Sequence, residues 1–259
     1  MKQEFAITNF LKSAKRGSPL LWGSAIAMLL GMMFCFALAL ADDRLIYGVS
    51  VWEKPAKFFL SLIAHTLTVA WAISLLSRKS RGVKIAAVIM VGAAWFELAY
   101  MIFRASRGEA SHFNVSTPFA AIMYPLMGLG AVLLTSTSAF IGWKIWRERG
   151  PDIMKEAAGL GLMVGAVLGT IAGAYLSSHT SHWIGGDQTD ATGLAFFHWS
   201  TTGGDLRVAH FIGLHATQFV PLAALSGRRL VVIVCAVGCL ILTVAAFAVA
   251  LLHIPILQS

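Results

Sequence analysis

Seven apolar runs, each long enough to cross a bilayer, divide this chain, and no water-soluble fold can hide that much hydrocarbon. A bilayer core of about 30 Å needs roughly 20 apolar residues per helical span. The runs are Leu21 to Ala41, Lys54 to Leu76, Val83 to Phe103, Thr117 to Trp143, Glu156 to Leu176, Leu206 to Leu225 and Leu230 to Leu252. Helices are the spanning element that fits, because backbone amides in lipid must be satisfied within their own segment and barrel strands would alternate. Charged residues make up 12% of the chain, against about a quarter in soluble domains. That excludes a soluble enzyme, a nucleic-acid binder and a disordered regulator. The expected class is all-α: a single polytopic membrane domain of seven helices over residues 1–259.

The formal charge of +8 reads first as topology, since Lys and Arg collect on the cytoplasmic side of membrane proteins. Alternating the connections puts Lys2, Lys12, Lys15, Arg16, Arg78, Lys79, Arg81, Lys84, Lys144, Arg147, Arg149, Lys155, Arg228 and Arg229 on one side, fourteen cations against four acids. Arg44, Lys54, Lys57, Arg104, Arg107 and Arg207 face seven acids on the other. The bias predicts an N-in, C-out protein of a cytoplasmic (inner) membrane, with residues 1–20 as a basic cytoplasmic segment. A basic start and small residues at Ala39 and Ala41 resemble a signal peptide, but the first apolar run exceeds the 7–15 residues of a signal core and reads as a membrane helix. Cys35, Cys235 and Cys239 all lie in apolar runs, so they predict packing and not a disulfide scaffold.

Connections on the outer side are longer. Residues 177–204 contain His179, His182, His198, Trp183, Trp199 and two Gly pairs, and Ala191 to Trp199 is too apolar for a simple solvated loop. A short interfacial helix, within a loop or lid over the outer face, is expected there.

Ionisable residues inside spans are costly and so mark candidate functional positions. Lys57, Ser61 and His65 recur every fourth residue in the second run. Glu97, Tyr100 and Arg104 form a similar stripe in the third, and Arg207, Phe211, His215 and Gln218 share a face in the sixth, with His210 to one side. At 1.5 Å per residue, His65 lies about 16 Å inward of Lys54 and His215 about 15 Å inward of Asp205. Glu97 and His210 are shallower.

Two imidazoles at matched depth on different helices suit the axial positions of a haem, with cations nearer the interface for its propionates. The resulting expectation is a membrane redox protein holding haem b through His65 and His215, exchanging electrons with a membrane quinone or a periplasmic partner. Glu97 and His210 then form a proton-handling pair, Arg104 and Arg207 hold anions, and Gln218 lines the site. The functional pocket opens to the periplasm or exterior. A bare zinc, copper or iron ion on His65, His210, His215 and Glu97 is an alternative. Ser61 with His65 resembles the Ser-x-x-x-His element of seven-helix zinc hydrolases of the ceramidase and adiponectin-receptor type, which implies a metal-bound water attacking a lipid amide or ester. Those proteins add a late His-x-x-x-His, whereas His210 and His215 are five apart. A proton-coupled transporter centred on Glu97 is a third reading. His112, His179, His182 and His198 form a secondary outer-face set that could hold copper.

Structural readings stand beside each of these. A membrane His often bridges helices by a hydrogen bond, and Glu97 has Lys57 and Arg104 available as partners. Gly159, Gly161, Gly165, Gly169 and Gly173 predict close helix packing. Retinal chemistry is excluded, since the last run has no lysine for a Schiff base.

Overall fold

The computed structural model describes residues 2–257. Met1, Gln258 and Ser259 lie outside the described residues, as do the side chains of residues 2–6, Lys2 and Glu4 of the charge count among them. The helices are α1 (Lys2–Gly17), α2 (Pro19–Ala39), α3 (Glu53–Ile73), α4 (Arg81–Ser106), α5 (Pro118–Arg147), α6 (Ile153–Ser177), α7 (Leu206–Ala223) and α8 (Arg229–Leu251), with a 3-10 turn at Ala224–Ser226. Two ribbons of two-residue strands complete the regular structure: β1 (Leu45–Ile46) pairs with β2 (Val49–Ser50), and β3 (Trp183–Ile184) with β4 (Gly204–Asp205), both antiparallel. Among the described residues, seven helices, α2 to α8, are long and apolar enough to cross a membrane. The chain is a multi-pass membrane protein.

Hydropathy located each span, but capping residues set where it starts. Ser18 accepts from the Leu21 amide ahead of Pro19, Ser80 from Val83, Thr117 from Ala120 ahead of Pro118, and Asp152 from Met154 and Lys155. A cap of this kind stabilises a helix by about 1 kcal/mol. It therefore carries α4 and α6 two to three residues beyond the apolar runs expected for them, to Arg81 and Ile153.

Two expectations about the connections are corrected. Residues 2–17, expected only as a basic segment, form α1, which docks on the C-terminal part of α3. Ala14 is fully buried, the Phe10 ring lies 6.0 Å from Trp71, and a Cβ on Gly17 would fall 1.8 Å from the Ala70 carbonyl. Conversely, residues 178–203 contain no helix, only turns and β3. Gly185, Gly186, Phe196 and His198 all take positive φ there, which no right-handed helix tolerates.

The side-chain contacts sort the connections into two ends. At one, Lys79 donates to the Arg16 carbonyl, Glu148 accepts from the Ser77 amide, and Arg229 pairs with Glu156 at 2.7 Å. At the other, Arg44 donates to the Ser106 carbonyl, Tyr124 to that of Ser177, Lys57 to that of Phe196, and Asp190 meets Tyr47. We call these the basic end and the loop end.

Packing is uneven across the bundle. The α6–α7 pair is among the closest, because small residues let the backbones approach: a Cβ on Gly161 would lie 3.0 Å from the Ala216 carbonyl, and one on Gly165 would lie 2.4 Å from the Thr217 methyl. Helices α2 and α3 pack around Phe59, whose ring fills the space beside Gly31. Helices α1 to α3 pack on one another and α4 to α8 on one another, and α4 meets α5 more extensively than it meets α3. Helices α3 and α7 touch sparsely.

Candidate functional site

Helix α3 turns Ala56 and Phe59 towards α2 and leaves Lys57, Leu60, Ser61, Ala64 and His65 unburied. Helix α7 turns Gly213 and Thr217 towards α6 and leaves Phe211, His215, Gln218 and Phe219 unburied. We take the sparse contact between these two faces as the candidate site, a lateral crevice. It is closed towards the basic end where Gln218 Nε2 donates to Thr68 Oγ1 at 3.4 Å. At the loop end it is roofed by residues 196–199: Lys57 Nζ donates to the Phe196 carbonyl at 3.0 Å, His198 hydrogen-bonds Glu53, and Arg207 donates to the His198 carbonyl.

An aromatic column lines the α7 wall. Trp199 and Phe197 stack at 4.5 Å, Phe197 meets Phe211 edge-on at 5.3 Å, Phe211 stacks on His215 at 3.9 Å, and Phe219 follows at 6.1 Å. The sequence reading placed Phe211 on the site face but missed the rest. Helical spacing links Phe211, His215 and Phe219, whereas Phe197 and Trp199 arrive through the loop.

Hydrogen-bond chemistry fixes which ring nitrogens are free. His215 Nδ1 lies 2.8 Å from the Phe211 carbonyl, and His210 Nδ1 lies 2.9 Å from that of Gly169. A carbonyl only accepts, so Nδ1 carries the proton in both rings and each Nε2 presents a lone pair. Gly173 leaves the slot for His210: a Cβ there would lie 2.8 Å from the imidazole. His65 Nε2 meets the fully buried Ser138 Oγ of α5 at 2.8 Å, which leaves its Nδ1 uncommitted. His65 and His215 lie within Coulombic range of one another, as do His210 and His215.

Glu97 is buried and sits against Gly130 of α5, where a Cβ would come within 3.0 Å of its Oε1. Neither expected partner reaches it. Lys57 pairs with Glu53 at 3.0 Å and Arg104 with Glu109 at 2.7 Å. Glu97 Oε1 has no hydrogen-bond partner among the described residues, nor has the hydroxyl of Tyr100 one turn on. Lys54, which the sequence reading used only to gauge depth, lies within Coulombic range of Glu97, Asp190 and Arg207.

Both arginines expected to hold an external anion are already engaged. Arg104 binds Glu109 and the Ala110 carbonyl; Arg207 binds Asp205 at 2.7 Å and Asp190 at 3.0 Å. Asp205 also accepts from the Arg207 and Ser200 amides, so it caps α7 and ties the roof to it. An aspartate directly before an apolar run is a readable capping signal.

Each outer-face histidine has a different nearest polar partner. His179 faces the Tyr175 carbonyl at 3.0 Å, and His198 faces Glu53. His182 lies 3.6 Å from Asp190, and His112 bonds Ser111 and packs on Phe58. Burial holds His182 below the usual imidazole range, which the Asp190 carboxylate only partly offsets. His112 is pushed further down, by burial first and then by the charges of Lys54, His210 and His182. Burial raises Asp190, but His182 and Arg207 outweigh it and leave it below the ordinary carboxylate value.

Among the described residues, no three His, Cys, Asp or Glu side chains converge as a metal-holding set. No family model, curated protein or solved structure matches this chain.

Proposed function

We propose that the chain is a membrane redox protein whose crevice between α3 and α7 takes a haem b, with His65 and His215 as its ligands. One observation carries this reading. His215 commits Nδ1 to a backbone carbonyl and leaves Nε2 free, and His65 on α3 ligates through Nε2 on giving up its Ser138 bond. A carbonyl-anchored Nδ1 is the usual device for orienting a ligating imidazole.

The donor set also favours haem over a bare ion. A zinc or copper site needs three or four protein ligands, and three do not converge here among the described residues. Haem brings four nitrogens of its own and asks the protein for one or two. It suits a slot whose wall is a column of aromatic rings. When bound, haem supplies one-electron transfer. The chain's residues orient and enclose it: Phe211 holds His215 from one face, and Lys57, bonded to the roof at Phe196, is the rim cation in place of Arg104 and Arg207. Glu97 and His210 remain the proton-handling pair.

By its charge bias the chain sits N-in and C-out in a cytoplasmic membrane, with the loop end towards the periplasm or exterior. Membrane lipids, a quinone and a periplasmic electron carrier are its proposed partners.

An absorption spectrum of the purified protein tests the central claim. A Soret band is expected, weakened or lost in His65→Ala and His215→Ala and retained in His179→Ala. Absence of the band before and after haem addition, or its survival in both crevice variants, overturns the reading.

Glu97 favours a second reading, proton-coupled transport, because a buried carboxyl without a fixed partner is free to exchange a proton. Proteoliposomes loaded with a pH dye would then show proton flux that Glu97→Gln abolishes; equal flux in both proteins sinks it.

A further inference from the structure

Beside the crevice rim lies a second cavity, of about 240 Å³, which shares Lys57 and the Phe196 roof with the haem site. Phe36 and Ala39 of α2, Ala56 and Leu60 of α3 and Phe196 of the roof make its apolar walls, and Ser50, Glu53 and Lys57 its polar end. Phe36, Leu60 and Phe196 are each about half exposed, so the cavity opens on the surface that meets lipid.

We infer that this cavity binds the ring of a membrane quinone or quinol, with its tail running out past Phe36 and Leu60. Size is the first argument. A cavity on the order of 150 Å³ holds benzene, so about 240 Å³ suits one substituted six-membered ring and little more. Charge is the second. Lys57 and Glu53 neutralise each other at 3.0 Å, and that leaves no net attraction for a phosphate headgroup. What the polar end offers is a donor beside an acceptor: the Lys57 ammonium for a ring carbonyl, and the Glu53 carboxylate, backed by His198, for a ring hydroxyl. A neutral ring with exchangeable oxygens and an apolar tail matches that pair, whereas a phospholipid does not.

Backbone geometry is the third argument. Phe196 and His198 take φ of 68° and 56°, a left-handed conformation that non-glycine residues adopt at a cost. Held that way, the roof puts the Phe196 carbonyl on Lys57 and the His198 ring on Glu53, so the strained residues shape this cavity. Leu60 is five residues from His65 along α3, about 8 Å of rise, so a ring seated here lies close to the proposed haem. The choice of an electron-carrying ligand rests on the redox reading; the cavity's size and polarity stand without it.

Calorimetric titration of the purified full chain with a short-tailed ubiquinone analogue tests the inference. Binding of about one equivalent is expected, weakened about tenfold or more in Ala39→Phe, which fills the cavity and leaves its polar end intact. Lys57→Met should weaken the oxidised form more than the reduced one. No saturable binding, or equal binding in a folded Ala39→Phe protein, overturns the proposal, as does displacement of the analogue by anionic phospholipid at matched concentration. The Soret band is read on the same samples. Quinone binding without it would leave the cavity standing and remove the haem; a band without quinone binding would do the reverse.

Discussion

At the scale of single residues, the telling feature is the contrast between the loop-end arginines and two polar groups deeper in the bundle. Arg104 and Arg207 satisfy neighbouring acids, and Glu97 and Tyr100 keep unpartnered oxygens. The loop-end histidines make a pH prediction whose sign is fixed. An unfolded His titrates near 6.5, and His112 and His182 titrate lower in the folded protein. Below that pH the unfolded chain binds more protons, so their contribution to stability is complete above pH ~6.5 and declines as pH falls towards the folded values. Asp190, also held low, adds a loss only in stronger acid, below about pH 4. Backbone amides of residues 178–205 should therefore exchange hydrogen faster at about pH 5.5 than at about pH 7.5. A His112→Gln, His182→Gln double variant should flatten that difference; an unchanged one refutes the assignment. Sequence spacing found the histidines, but it could not show that Lys57 and Arg104 were taken by Glu53 and Glu109, since both acids lie within five residues of cations that also face the interior.

At the scale of elements, the stripe of glycines on α6 behaves as its spacing predicted. Gly165→Val would drive a side chain into Thr217, whose backbone nitrogen is 2.9 Å and methyl 2.4 Å from the first added carbon. Overpacking of this kind costs about 1–3 kcal/mol, and the clash with backbone puts it at the upper end. Gly92 and Gly238 face open space, so alanine at either should be neutral or stabilising by up to about 1 kcal/mol. Thermal unfolding in one detergent compares all three. Asp205→Ala removes the α7 cap, the tie to the Ser200 amide and the Arg207 ion pair together, with an expected loss of about 1–2 kcal/mol. A melting temperature equal to the parent's would show that the cap is dispensable. Helix starts were readable only in outline, because a hydropathy run says where lipid ends and a Ser, Thr or Asp side chain says where the first turn begins. Helix α1 was missed for a related reason: it is short and mixed, and its apolar residues make sense only against Trp71 and Ala70.

At the scale of the whole molecule, α1 to α3 and α4 to α8 make two sets with fewer contacts between them, and both proposed ligand sites include a face of α3. Exposed apolar side chains such as Val234, Leu240 and Leu242 on α8 are the surface lipid would cover. The proposed orientation predicts that a cysteine at Asp187, in the loop-end turn, reacts with a membrane-impermeant maleimide added to intact cells. One at Arg149 should react only after lysis. The native cysteines all lie within α2 and α8. The opposite labelling pattern would invert the topology and move both cavities to the cytoplasmic half.

The seven spans and their order were legible in the sequence alone, because hydrocarbon burial and the rise of a helix are local physics that need no neighbour. Which face of α3 meets α7, which acid takes which cation, and how residues 178–205 fold depended on partners more than a hundred residues away. Lys57 bonding to Phe196 and His198 to Glu53 are contacts of that kind. No periodicity encodes such distant pairings. They follow from how two groups of helices settle against each other, and the crevice exists only where that settling is incomplete.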